Sequence, residues 1–424
     1  MTRASSLLSS AALAAFALLL AVPASAQLDG NSDEAKVGAY TLPDPLVMAD
    51  GTRVTSAEQW TTRRRPELLA LFTHHIYGVV PPAPEHMRVE VTDLDRHALD
   101  GRAVRKQVTL LFDGRAEGPQ TSLLLYLPAG AKGPVPVFVG LNFHGNQAVA
   151  ADPAIHIATG WVAAPGKGIV KHRATEASRG IEAGEWPIAQ ILAAGYGVAT
   201  FFPGDLYPDG DGKRADSIQP HYPISPSAPD HWGVIATWAW GLSRACDYLV
   251  TDPDVDEHRV IAIGHSRYGK AALWAGAVDP RFAMVVSNDS GEGGAALYRR
   301  DFGETIRVMN DYWFAPRFKT YASRAEALPI DAHELIALIA PRPVYVASAT
   351  EDWWSDPKGE FLAARGADRV YHLFGYKGLE TDTMPRPDHP IGGRIGYHIR
   401  TGPHEITPED WTNYIAFADR TLKR

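Results

Sequence analysis

From residue 135 onward, short apolar runs alternate with stretches of helical pattern, and nothing else in the chain constrains its fold as strongly. Residues 135–141, 197–202, 260–263, 282–287 and 343–349 read as buried strands. Residues 186–194, 231–249 and 270–278 read as helices between them, the second long, amphipathic and rich in Trp and Ala. Strands joined by helices need crossover connections, so this order predicts a mainly parallel sheet covered on both faces. The earlier runs 103–112 and 122–127 then pair antiparallel at one edge. Residues 66–77 read as a helix, and the turn-rich stretch before residue 60, with Pro43 and Pro45, as an arm on the surface. No repeat or low-complexity linker breaks residues 27–424, which read as one large α/β domain with loop insertions.

The N-terminus carries a different signal. Arg3 precedes an apolar run from Ala11 to Val22, and Ala24-Ser25-Ala26 fits a small-residue cleavage site. That run is short for a membrane span. Residues 1–26 are therefore expected to be a signal peptide, and the protein to be exported, to the periplasm or the medium, without a membrane partner after cleavage. Removing 26 of 424 residues leaves 398, and with them goes one charge, Arg3, so the formal charge moves from −8 to −9. A modest acidic excess argues against nucleic acid or anionic lipid as a partner. The basic run Arg63-Arg64-Arg65 reads as a solvated helix face. Cys246 is the only cysteine, so neither an internal disulfide nor a cysteine zinc site is available. Asp209-Gly210-Asp211-Gly212 lacks the ligand ladder of a calcium loop and reads as an acidic turn. No metal and no organic cofactor is expected.

The chemistry concentrates at Gly264-His265-Ser266-Arg267-Tyr268-Gly269-Lys270. An apolar strand runs into a Gly-bounded turn and then a helix. This is the setting of a nucleophile elbow, in which the turn lifts the serine hydroxyl above the sheet. The helix start supplies N–H groups for a developing oxyanion. The spacing is G-x-S-x-x-G, one residue longer than G-x-S-x-G. An ordinary strand-to-helix turn with a buried serine has the same composition. The elbow reading implies an α/β-hydrolase fold, a three-layer sandwich around a mainly parallel sheet.

A serine nucleophile needs a base, and the base an orienting acid, in the chain order Ser, acid, His. His404 lies in a Gly/Pro loop ahead of a helix that starts near Pro408. His398 and His389 compete with it, although His398 is flanked by apolar residues. Asp352 follows the late strand 343–349, and Asp289 ends the strand 282–287. Spacing alone leaves both acids open. Asn142-Phe143-His144-Gly145-Asn146 follows the strand 135–141, where a hydrolase places its second oxyanion loop.

The segment Gly264–Lys270 resembles the G-C-S-R-x-G-K signature of the glucuronoyl esterases, carbohydrate esterase family 15. The resemblance extends to Gly195-Tyr196-Gly197-Val198-Ala199-Thr200, Ser287-Asn288-Asp289-Ser290-Gly291, Phe302-Gly303-Glu304-Thr305 and Glu351-Asp352-Trp353-Trp354-Ser355-Asp356-Pro357, in consistent order over residues 40 to 420. The late glycine that fits the general elbow poorly is that family's own pattern. The resemblance implies a serine esterase that cleaves esters of glucuronic or 4-O-methylglucuronic acid in lignin–carbohydrate links of glucuronoxylan. It gives Ser266 as nucleophile, Arg267 as oxyanion stabiliser, His404 as base, Lys270 and Glu304 as partners of uronate hydroxyls, and Trp354 as an aromatic at the sugar. The family places its acid at either of two positions, and both are acidic here. The shorter reach of Asp289 favours Asp352. His265 stands where the family usually has Cys, which sets the chain with bacterial members and leaves the His404 loop to be held by packing. Two rival readings are a deacetylase of acetylated xylan and a non-catalytic carbohydrate-binding protein on a hydrolase scaffold.

Overall fold

The computed structural model describes residues 30–422, so the expected signal peptide and the start at Gln27 lie outside the described residues. Among the described residues twelve strands occur in chain order: β1 (Arg88–His97), β2 (Ala103–Leu111), β3 (Gln120–Pro128), β4 (Val135–Leu141), β5 (Ile169–Val170), β6 (Arg173–Ala174), β7 (Gly197–Phe201), β8 (Val255–His265), β9 (Phe282–Asn288), β10 (Val344–Ala349), β11 (Ile391–Gly392) and β12 (Ile395–Arg400). Ten form one sheet in the order β1-β2-β3-β7-β4-β8-β9-β10-β12-β11, and β5 and β6 form a separate hairpin. The run from β7 to β12 is parallel throughout, and the antiparallel strands sit at the two ends.

Side-chain alternation along each strand feeds two apolar layers. Val260, Ala262, Val285, Val344 and Val346 pack on one face with the helices Val234–Leu249, Arg267–Val278 and Pro357–Gly366. Ile261, Ile263, Met284, Val286 and Tyr345 pack on the other with the helices Ile188–Ala193 and Pro408–Leu422. Helices thus cover both faces, as the strand–helix alternation predicts, and the architecture is of the α/β-hydrolase type.

Three expectations need correction. The long helix starts at Val234, three residues later than expected, and its amphipathic pattern is carried almost wholly inside the protein, with Asp247 the one half-buried residue. Its polar side is closed by the Arg244–Asp247 pair and by Arg281. Arg64 is buried, not solvated: it pairs with Glu67 and Glu334 across the core edge. Arg65 donates to the carbonyls of Leu338 and Ala277, so only Arg63 of that run is exposed. The N-terminal arm also does more than cover surface. Asn31 bonds Gly303 N and Asp301 O, and Glu34 meets Arg300 and Lys358, which ties the arm to the loop that carries Glu304.

Candidate active site

The tip of β8 and the start of the helix Arg267–Val278 are joined by Ser266 alone, with φ 56° and ψ −130°. A non-glycine residue in that region is strained, and strain of this kind gathers at functional sites. Ser266 N donates to Asn288 O at 2.8 Å, and Ser266 O accepts from Gly269 N at 2.8 Å, so the turn is held on both sides. The glycines have separate reasons. A Cβ on Gly264 would lie 2.0 Å from Tyr268 O, inside the turn itself. A Cβ on Gly269 would lie 2.9 Å from Ser290 Cβ, on the loop after β9. The late glycine therefore marks where the helix passes that loop. Asp289, in that loop, also has a positive φ, 46°.

The strand ladder aligns the other two groups. β10 and β12 pair in register to Ala349 and Arg400. Beyond their ends the pairing continues, with Thr350 N to Arg400 O and Glu351 N to Gly402 O, both 2.9 Å. This sets Asp352 beside His404. His404 Nδ1 lies 2.6 Å from Asp352 Oδ2, with Asp352 buried and the imidazole 36% exposed. Asp352 also accepts from Ser355 N at 3.3 Å. The His404 ring lies 4.6 Å from that of His265, the residue before Ser266. An imidazole with one nitrogen on a carboxylate, carried this close to the elbow, has its other nitrogen to accept a serine hydroxyl proton.

His265 does not compete for that task. It is bonded to Asn288 Oδ1 at 2.6 Å, and burial and then the neighbouring His404 push its pKa well below the usual imidazole range. His398 is a buried structural residue, between Tyr345 OH at 2.9 Å and Asp410 Oδ1 at 2.8 Å. His389 is exposed and bonded to its own turn.

The two candidate acids differ in state. Neither oxygen of Asp289 has a hydrogen-bond partner, and its carboxyl is buried 4.0 Å from His265. Burial, and then the charges of Glu360, Asp352 and Asp410, raise its pKa well above the carboxylate range. Asp352, not Asp289, is thus the carboxyl in contact with His404. Among the described residues, these three are also a set close enough to share a metal ion, with ligand atoms within 4.8 Å, but His404 Nδ1 is already committed to Asp352.

Glu360 lies under the same loops, accepting from Ser290 N at 2.8 Å, Gly291 N at 3.0 Å and Ser348 Oγ at 2.6 Å. Burial raises its pKa to about 8. Between the ordinary carboxyl value and about 8 the folded chain holds a proton that the unfolded chain has released. Stability from this group therefore declines as pH rises across that window and levels off above it. Melting temperatures between about pH 5 and about pH 8 are expected to fall more steeply in the wild type than in Glu360→Gln.

Arg267 projects from the elbow between Phe143, at 5.7 Å, and Trp313, at 5.3 Å. Asp209 holds it by a direct ion pair and also accepts from Tyr312 OH at 3.0 Å and Trp313 Nε1 at 2.9 Å. Burial opposes the guanidinium's charge, but Asp209 outweighs it and raises the pKa. Asp209 is thus a site residue hidden in what reads as an acidic turn; no spacing in the sequence links it to Arg267. In the loop 142–146, where a second oxyanion loop is expected, two N–H groups are engaged elsewhere. Phe143 N donates to both oxygens of Glu182, at 3.1 and 3.2 Å, and Gly145 N to Asn142 Oδ1 at 2.8 Å. Those N–H groups are already spent.

Lys270 is buried. Its ammonium donates to Ser290 O at 2.8 Å, Glu292 O at 2.7 Å and Glu304 Oε2 at 2.5 Å. An ammonium has three donors, so Lys270 has none left over and serves the site by fixing Glu304. Glu304 N in turn donates to Trp354 O at 2.7 Å. Trp354 is half-buried against Gly30 and Gly303, while Trp353 is 40% exposed with its ring 5.6 Å away at 89°.

This sheet and this site define a carboxylic ester hydrolase of the α/β-hydrolase class. A family model described as "Glucuronyl esterase, fungi" matches residues 180–375. The chain is 50% identical over 398 residues to a carbohydrate esterase from an unknown prokaryotic organism, covering 92% of each. It is 29% identical over 380 residues to a 4-O-methyl-glucuronoyl methylesterase of Schizophyllum commune, covering 85% of this chain and 81% of the relative. Its structure matches a glucuronoyl esterase from Solibacter usitatus with a TM-score of 0.87 and 47% identity, over 92% of this chain and 100% of that one. The chain belongs to carbohydrate esterase family 15, the glucuronoyl esterases, and sits with its bacterial members.

Proposed function

We propose that the protein hydrolyses esters of glucuronic or 4-O-methylglucuronic acid, such as those linking glucuronoxylan to lignin alcohols. Ser266 Oγ attacks the ester carbonyl while His404 Nε2 takes its proton. The tetrahedral oxyanion is met by the Arg267 guanidinium and by N–H groups at the start of the Arg267–Val278 helix. Collapse expels the alcohol, which takes the proton back from His404, and leaves a glucuronoyl ester on Ser266. Water, deprotonated by the same imidazole, then releases the uronic acid. Asp352 keeps His404 in the right tautomer and carries the imidazolium charge. Side chains and water supply the whole cycle. Arg267→Met is expected to lower kcat by about 10²–10³-fold, the range for losing one oxyanion donor; single-turnover rates of product formation measure it.

The observation that carries the substrate assignment is Glu304, held by Lys270 and joined through its backbone to Trp354. A carboxylate fixed in this way presents an acceptor to sugar hydroxyls, and the indole an apolar face. An acetyl group would need neither. Glu304→Gln is therefore expected to raise KM for benzyl glucuronate while leaving hydrolysis of 4-nitrophenyl acetate nearly unchanged. Equal losses on both esters would favour the deacetylase reading. Residues 1–26 are read as an export signal, which N-terminal sequencing of the mature protein from Gln27 would bear out.

A further inference from the structure

The segment that carries His404 leaves β12 at Arg400 and enters the last helix at Pro408, with no strand or helix of its own to hold it. The Arg400 side chain folds back into this loop and is 4% exposed. One terminal nitrogen donates to Thr401 O at 3.0 Å. The other donates to Pro403 O at 2.8 Å and Glu405 O at 3.1 Å, the carbonyls on either side of His404. Nε donates to Asp410 Oδ2 at 3.1 Å, and that oxygen also takes Thr407 N at 2.7 Å. Asp410 Oδ1 is fixed in turn by His398 at 2.8 Å.

The fit leaves no slack. Gly402 has φ +129°, and a Cβ there would lie 2.6 Å from the Arg400 guanidinium. From outside, Asp388 takes Thr401 N and Oγ1, both at 2.7 Å, and Thr350 Oγ1 takes Gly402 N at 3.1 Å.

We propose that Arg400 is a positioning residue for the ester hydrolysis: its guanidinium clasps the loop on both sides of His404 and so holds the imidazole on Asp352 and toward Ser266. This rests on the reading of His404 as the base. A planar fork with five donors can span three carbonyls and a carboxylate, whereas a lysine ammonium, with three donors at one point, cannot. The clasp does in hydrogen bonds what simple packing of the loop would do less exactingly. A shift of about 1 Å in a reacting group costs on the order of 10²-fold in rate, which sets the expected size of the effect.

The test compares Arg400→Lys, Arg400→Met and Gly402→Ala in the full chain with benzyl glucuronate. Gly402→Ala keeps every charge and presses a methyl on the guanidinium, and it decides the matter if the Arg400 variants do not fold. In each, kcat is expected to fall by about 10²-fold with KM nearly unchanged. The low-field proton resonance of His404 Nδ1–H, assigned by its loss in His404→Ala, is expected to broaden or vanish. A lower melting temperature with kcat and that resonance retained would reduce Arg400 to a structural role and overturn the proposal. Full activity in His404→Ala would instead remove the base assignment on which it rests.

Discussion

Ser266→Ala is expected to lower kcat for ester hydrolysis by about 10⁶-fold, the loss seen when a serine hydrolase is deprived of its nucleophile. Serine at this position adopts φ 56° between a hydrogen bond to β9 and one from the first turn of the helix, a conformation that costs energy and is typical of functional sites. Alanine fits the same backbone, so the fold and KM are expected to persist. The comparison is steady-state hydrolysis of benzyl glucuronate, with melting curves as a control. Residual activity within about a hundredfold of wild type would mean that another group attacks the ester.

Asp352→Asn is expected to lower kcat by about 10⁴-fold, because asparagine's amide can favour the wrong imidazole tautomer and carries no charge to balance the imidazolium. The 2.6 Å contact to His404 Nδ1 is the basis for this. Asp289→Asn is expected to cost far less. Neither carboxyl oxygen of Asp289 has a hydrogen-bond partner among the described residues, and burial with the surrounding carboxylates disfavours its charge, so an amide of the same shape is expected to change little. Kinetic constants for the two variants decide between them, and a larger loss at Asp289 would reverse the roles.

Much of this was legible in the residues. Short apolar runs alternating with helical stretches announced the parallel strands from 135 onward, and the unusual elbow spacing pointed to its family. The structure supplies the reason for that spacing, since Gly269 is the contact between the elbow helix and the loop after β9. Strand β1 was not legible, because its residues are largely exposed and charged and its apolar positions Val89, Val91 and Leu94 face no core. β12 was obscured in the same way by His398 and Arg400, whose burial depends on Asp410 in a later helix. Asp209 and Arg400 escaped for a related reason. Each acts on a site residue through space, 58 positions from Arg267 in one case and through backbone carbonyls in the other. Lys270 shows the converse: the family resemblance implied a ligand contact, and only the hydrogen-bond count reveals that its donors are spent.

The most direct measurement of the central claim is kcat/KM of the wild-type enzyme on benzyl glucuronate beside an acetyl ester of similar leaving group. The expected result is a clear preference for the glucuronate. A preference for the acetyl ester, or no turnover of benzyl glucuronate, would contradict it.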